Sequence, residues 1–227
     1  MSEKNEINGE INEIIQKKLD QGRQFRRMAE FRAIEGESED DKALIVEGHA
    51  CTFNQPYTLF DLGDYRVDEQ IDARAFDECD MSDVIFQYDH NGRVFARTRN
   101  NTLQLSVDDE GLFQRADLSK ASGGEGLYND IKNGLIDRMS FAFTVKEDKR
   151  EATEDHETGK ITVLRTITKI GKLYDVSAVS IPANDGTDIS ARSYADGVIA
   201  ELEAERLEVL KQKEARKRLA LKLRLSK

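Results

Sequence analysis

The sequence predicts an α+β domain built on an antiparallel β-barrel or strongly curved sheet, with a few packed helices and helical N- and C-terminal extensions. Three observations carry that prediction. Short runs rich in β-branched and aromatic residues recur through the middle of the chain, separated by turn-forming residues. One internal stretch, residues 125–132, reads as a helix and stops at Asn133-Gly134. Both ends are highly charged and carry apolar residues at helical intervals. The boundaries fall at 1–23 for the first extension, 24–193 for the domain and 194–227 for the tail.

Each element follows from its own pattern. In the first extension Ile7, Ile11, Ile14, Ile15 and Leu19 form a short amphipathic stripe, marginal as a helix without a partner. Residues 24–34 read as an edge strand, and 35–42 as an acidic loop. Residues 43–53 form a strand with Gly48 as the candidate bulge. A turn-rich loop around Pro56 covers 54–64, and 65–71 is a further strand. One or two helical turns fit 73–80. The apolar strand 84–88 runs straight into a turn at 89–93. Residues 102–107 and 112–118 read as a hairpin turning at Asp108-Asp109-Glu110-Gly111. The helix follows, then an aromatic and β-branched strand at 139–145. Residues 146–160 read as a charged loop between strands, 161–170 as a weakly alternating strand, and 173–181 as a strong strand ending at Pro182. In the tail Ile199, Leu202, Leu207, Leu210, Leu221 and Leu225 share one broad helical face, interrupted by Glu214 and Lys217.

Composition narrows the function classes. The 227 residues suit one domain with extensions, and 34% charged against 38% apolar content places part of the length outside any core. Net charge is -10. From Ile199 onward nine Lys/Arg stand against five Asp/Glu, a net of +4, so the rest carries -14 and makes a poor partner for nucleic acid. Cys51 and Cys79 form no C-x-x-C pair and read as two reduced thiols. No run of about 18 apolar residues occurs and the N-terminal stretch is not hydrophobic, so neither a membrane span nor a signal peptide is expected.

Cofactor chemistry finds no anchor. The three histidines and two cysteines have no ligand spacing, so no metal is expected. The acidic run at 37–41 lacks the EF-hand pattern. The glycine-rich stretch 121–126 has no lysine after it and is no phosphate loop. Acyl transfer by serine fits better. It needs a hydroxyl to attack, a neutral imidazole to take its proton, and a third group to hold the imidazole. Ser140 stands near the start of the strand after the helix. His90 begins a turn at a strand end. Asp175 is an acid inside LYDVSAVSI. Each alone is an ordinary residue: Asp175, for example, reads equally as the outward face of an amphipathic strand. No G-x-S-x-G occurs, which argues against an α/β-hydrolase.

Six segments in order resemble the prohead maturation proteases of tailed bacteriophages, serine endopeptidases with a fold like that of herpesvirus assemblins. Val46-Glu47-Gly48-His49-Ala50-Cys51-Thr52-Phe53-Asn54 is similar to the family's early G-y-A-a-v-F-n strand. Ile71-Asp72-Ala73-Arg74-Ala75-Phe76-Asp77 is similar to I-x-x-G-A-F, with Arg74 in place of glycine. Residues 84–93 resemble the strand that delivers the histidine, with Asn91 where Asp is common, and Gly111-Leu112 the hairpin return. Residues 127–143 resemble the helix, turn and S-x-G-F strand, with Ala142 replacing glycine. Residues 173–184 resemble L-x-E-V-S-x-V-x-x-P-A, with Asp175 replacing Glu.

The resemblance covers residues 24–193 and implies Ser140 as nucleophile, His90 as base and Asp175 as third member. It implies an endopeptidase that cleaves scaffold and capsid segments, and itself, inside the assembling prohead in the host cytoplasm. Its partners would be the major capsid protein, scaffold segments and, by self-association, further copies; no cofactor, nucleic acid or membrane is implied. The alternative is a non-catalytic scaffolding protein acting through its terminal helices. The two separate on geometry, since only the enzyme needs His90 and Ser140 within hydrogen-bond reach.

Overall fold

The structure, a computed structural model, describes residues 24–34, 43–61, 63–179 and Lys211. The predicted helical extensions at 1–23 and 194–227 lie outside these residues, Lys211 apart. Ten strands run β1 (Gln24–Ile34), β2 (Ile45–Thr52), β3 (Tyr57–Asp61), β4 (Tyr65–Ile71), β5 (Ile85–Tyr88), β6 (Asn91–Arg97), β7 (Leu103–Val107), β8 (Gly111–Asp117), β9 (Arg138–Glu154) and β10 (Ile161–Val179). One α-helix, α1 (Gly124–Lys132), and a 3-10 turn at Thr98–Asn100 complete the described elements.

All ten strands join one sheet in the order β3-β4-β10-β9-β1-β2-β8-β7, with β5 paired to β10 and β6 to β5. This corrects the predicted fold class. The described fold is mostly strand with a single α-helix rather than α+β, and the barrel is not closed. Closure needs the two ends of the strand order to pair, whereas among the described residues β3 and β7 each pair on one side only. Pairing is also not purely antiparallel. β10 takes two parallel partners end to end, β4 along Ile161–Ile167 and β5 along Asp175–Ala178. The 19-residue length of β10 makes this possible.

Several local expectations shift for the same reason. Residues 146–154, read from their charge as part of a loop, form the mostly exposed outer stretch of β9, which pairs with β10 across a turn at 155–160. A ladder satisfies backbone groups whatever the side chains, provided those face water. The loop expected at 54–64 contains β3. Residues 73–80 are successive turns, not a helix, with Ala75, Asp77 and Cys79 N–H each donating three residues back.

The bulge in β2 falls between His49 and Cys51 in its pairing with β8, at Ala50 rather than at Gly48. There the chains approach so closely that a Cβ on Gly111 would meet the Cys51 carbonyl oxygen at 1.8 Å. Gly111→Ala is therefore expected to cost about 3 kcal/mol, read as a lower urea midpoint at unchanged slope.

The core lies on one face of the sheet. Met139, Phe141 and Phe143 of β9 reach it, with Phe86 of β5, Leu112 of β8 and Val176 of β10. Helix α1 adds Leu127, Tyr128 and Ile131, and the Tyr128 hydroxyl donates to the Ile34 carbonyl at 2.8 Å, tying α1 to β1. The helix ends as its sequence predicts. Gly134 adopts φ +70°, its N–H donates to Ile131, and Leu135 N–H donates to Asp130, the paired bonds of a Schellman stop. Three residues after Leu135 the chain enters β9.

Inside the sheet sits a charged cluster. Glu69 of β4, fully buried, accepts from Arg26 of β1, Arg165 of β10 and the Tyr57 hydroxyl of β3. Arg165 also donates to Asp148 of β9 at 2.6 Å, and both guanidiniums reach Gln24. Two cations and two anions thus balance while linking β1, β4, β9 and β10.

Candidate active site

Strand alternation sets the site. With Met139, Phe141 and Phe143 turned to the core, Ser140 and Ala142 face the other way. Opposed residues in a ladder share a face, and β10 places Ser177 opposite Ser140 and Asp175 opposite Ala142. All four are buried: Ser140 is 4% exposed, Asp175 2%, and Ala142 and Ser177 none. Ala142, the residue at the family's glycine position, is accommodated there beside the carboxylate strand.

His90 arrives from a third strand. β5 and β6 form a two-residue hairpin with Tyr88 paired to Asn91, and both residues of the turn have positive φ, +48° at Asp89 and +54° at His90. That is the type I′ geometry matched to strand twist, and it is uncommon for residues other than Gly, Asn or Asp. His90 therefore holds a strained backbone of the kind found at functional positions. Asp89 N–H donates to the Ala178 carbonyl at 2.9 Å, locking the turn onto β10. The sequence places a turn at 89–93; the actual turn is two residues long, and β6 begins at Asn91.

The three predicted side chains meet. His90 Nδ1 lies 2.5 Å from Asp175 Oδ1, and His90 Nε2 lies 2.5 Å from Ser140 Oγ. Asp175 is one methylene shorter than Glu, yet it reaches the imidazole directly because β5 and β9 both pair with β10 at that residue. The imidazole is 17% exposed, more open than its partners. Ser140 Oγ also lies 2.9 Å from the Arg26 carbonyl oxygen of β1. A hydroxyl has one proton, so it can serve one acceptor at a time. With His90 neutral and its Nδ1–H given to Asp175, Nε2 accepts the serine proton. With His90 protonated, Nε2–H donates to Oγ and the serine proton turns to Arg26. Either state leaves the serine proton an acceptor within reach.

The other candidates are placed elsewhere. His49 is engaged by Asp108, with its Nε2 2.9 Å and 3.1 Å from the two carboxylate oxygens, and its ring meets Phe113 edge-on. His156 is exposed in the β9–β10 turn. Arg138, half-buried on the Ser140 face, lies 3.7 Å from the Asp137 carboxylate. Among the described residues no group of His, Cys, Asp and Glu could hold a metal. The cysteines are free thiols, and burial pushes Cys51 up to about 12 and Cys79 up to about 11. Neither is expected to react with iodoacetamide at pH 7.5 in the folded protein, and both should react in urea, read by intact mass.

Sequence reasoning missed two groups, the Arg26 carbonyl and the Ser177 hydroxyl, which donates to Asp175 Oδ1 at 2.7 Å. Ser177 was legible as the next same-face residue after Asp175. Arg26 was not, because a backbone oxygen carries no sequence signature.

Among solved structures the chain is similar to the bacteriophage T4 capsid assembly protease gp21, at 14% sequence identity and a TM-score of 0.40, over 70% of this chain and 99% of that one. No curated protein matches the chain. The family described as Caudovirus prohead serine protease matches over residues 29–198, most of the chain, including Ser140, His90 and Asp175. This chain belongs to the caudovirus prohead serine protease family.

Proposed function

We propose that Ser140, His90 and Asp175 are the machinery with which this prohead serine protease cuts peptide bonds, in a domain spanning residues 24–193. The observation that carries the reading is the unbroken contact from Ser140 Oγ through the imidazole to the buried Asp175 carboxylate, 2.5 Å at each step. The same contact favours an enzyme over a purely scaffolding protein.

The steps follow from the atoms. His90 Nε2 takes the Ser140 proton as Oγ bonds the substrate carbonyl carbon. The carbonyl oxygen gains the negative charge, and backbone N–H groups stabilise it. His90 then gives its proton to the departing amine, leaving an acyl-serine. Water repeats the sequence in reverse, with His90 again as base, and frees the carboxylic acid product. Asp175 holds Nδ1–H throughout, which keeps Nε2 the basic nitrogen and stabilises the cation formed.

A family member named for the prohead acts inside the assembling capsid, and no helix among the described residues is long and apolar enough to cross a membrane. Its substrates in this reading are capsid and scaffold segments, and its own chain. The acidic body disfavours nucleic acid, while the basic tail beyond residue 199 is suited to an acidic protein surface. A fluorophosphonate probe offered to the full chain is expected to attach to Ser140, located by peptide mass spectrometry. Attachment to another serine, or none to the folded protein, overturns the assignment.

A further inference from the structure

We propose that Ser177 is a fourth member of the site, a positioning residue that acts through Asp175; this rests on the reading of Ser140, His90 and Asp175 just given. Ser177 is fully buried, two residues beyond Asp175 on the same face of β10 and opposite Ser140 on β9. Its hydroxyl donates to Asp175 Oδ1 at 2.7 Å, the same oxygen that lies 2.5 Å from His90 Nδ1.

The chemistry requires such a donor. A carboxylate out of water has about four acceptor sites, and each left unserved carries a desolvation cost. His90 has a single N–H to give it. During turnover the imidazole gains and loses a proton and must reorient toward the leaving amine, so it cannot be the sole anchor of the group meant to orient it. Ser177 stands on the same rigid strand as Asp175, and period-two alternation brings its hydroxyl beside the carboxylate without any change in backbone. It holds the carboxylate rotamer fixed while His90 moves. The short side chain of Asp makes this possible. Its oxygens stay close to β10, within reach of the i+2 hydroxyl, where a longer Glu would carry them further from the strand.

The measurement is the rate of fluorophosphonate labelling of the full chain, resolved into the binding constant and the limiting rate. Ser177→Ala is expected to lower the limiting rate about 10-fold with binding unchanged within about twofold. Asp175→Ala should lower it further, and Ser177→Ala added to Asp175→Ala should change nothing more, because the hydroxyl then has nothing to position. Ser177→Cys keeps the volume with a weak donor and covers the case in which Ser177→Ala does not fold; the same fall is expected. A full rate in either Ser177 variant overturns the proposal, as does an equal further loss in the Asp175→Ala background. If Asp175→Ala itself labels at the unaltered rate, the three-residue reading fails instead.

Discussion

Ser140→Ala and His90→Ala are each expected to reduce cleavage of a coexpressed capsid protein by about 10⁶-fold, and the double variant by no more than either alone. The reason is that the two act as one unit. Without the imidazole the hydroxyl keeps its proton at neutral pH, and without the hydroxyl the imidazole has nothing to activate. The remaining turnover, about 10³ over water, comes from oxyanion stabilisation and positioning alone. Asp175→Ala should cost less, about 10⁴-fold, since it disturbs the tautomer and orientation of His90 without removing base or nucleophile. Circular dichroism should be unchanged for Ser140→Ala, whose lost hydroxyl leaves the ladder intact. The assignment is sunk if either single variant processes its substrate at the unaltered rate, or if the double variant multiplies the two losses.

Glu69→Gln is expected to destabilise the fold by about 3–5 kcal/mol, a large part of the roughly 5–15 kcal/mol that a domain has in total. Arg26 and Arg165 are each 3% exposed at the side chain and share the Glu69 carboxylate, Arg26 at 3.1 Å and Arg165 at 2.7 Å from Oε2. Neutralising Glu69 removes one of the two carboxylates that the described residues place against these buried cations. The paired change Arg26→Met with Glu69→Leu should be milder, since Arg165 keeps Asp148 and no net charge is stranded. Urea denaturation of the three proteins decides this, and a Glu69→Gln variant within about 1 kcal/mol of the parent refutes it.

The same cluster sets an acid limit. Burial alone would raise the Glu69 carboxyl, but Arg26, Arg165 and the Tyr57 hydroxyl outweigh it and leave it below its ordinary value of 4.5. A depressed carboxyl contributes stability that is present above that ordinary value and lost as pH falls through the lowered one. Burial and the adjacent Glu69 charge hold Tyr57 well above the usual tyrosine range, so its hydroxyl remains a donor throughout. Because the Arg26 backbone carbonyl touches Ser140, loosening β1 by acid or by Glu69→Gln should also lower activity before the sheet unfolds.

What could be read in the chain was whatever depends on local pattern. The stop at Asn133-Gly134, the hairpin through Asp108–Gly111 and the apolar strands around Phe86, Phe141 and Val176 all rest on spacing and turn chemistry. Among the described residues the strand content was underestimated, and of the two expected architectures the closed barrel does not hold, for different reasons. Charged strands such as 146–154 lack an alternation signal because both faces meet water. Closure depends on which strand edges meet, and no residue records that. Glu69, Arg26 and Arg165, at sequence separations of 43 and 96, read as surface charges until the sheet brings them together.

By itself the sequence determined the residue types of the site: one serine after a helix stop, one histidine at a strand end, one acid in an apolar strand, and an ordered likeness to a protease family. Only the tertiary structure decided that they touch. The contact depends on β10 being long enough to pair with β9 on one side and β5 on the other at Asp175, and on a two-residue turn that holds His90 at positive φ. Long-range strand register is the sum of many weak pairings across the sheet, so it is a property of the folded whole and is not encoded at any one position.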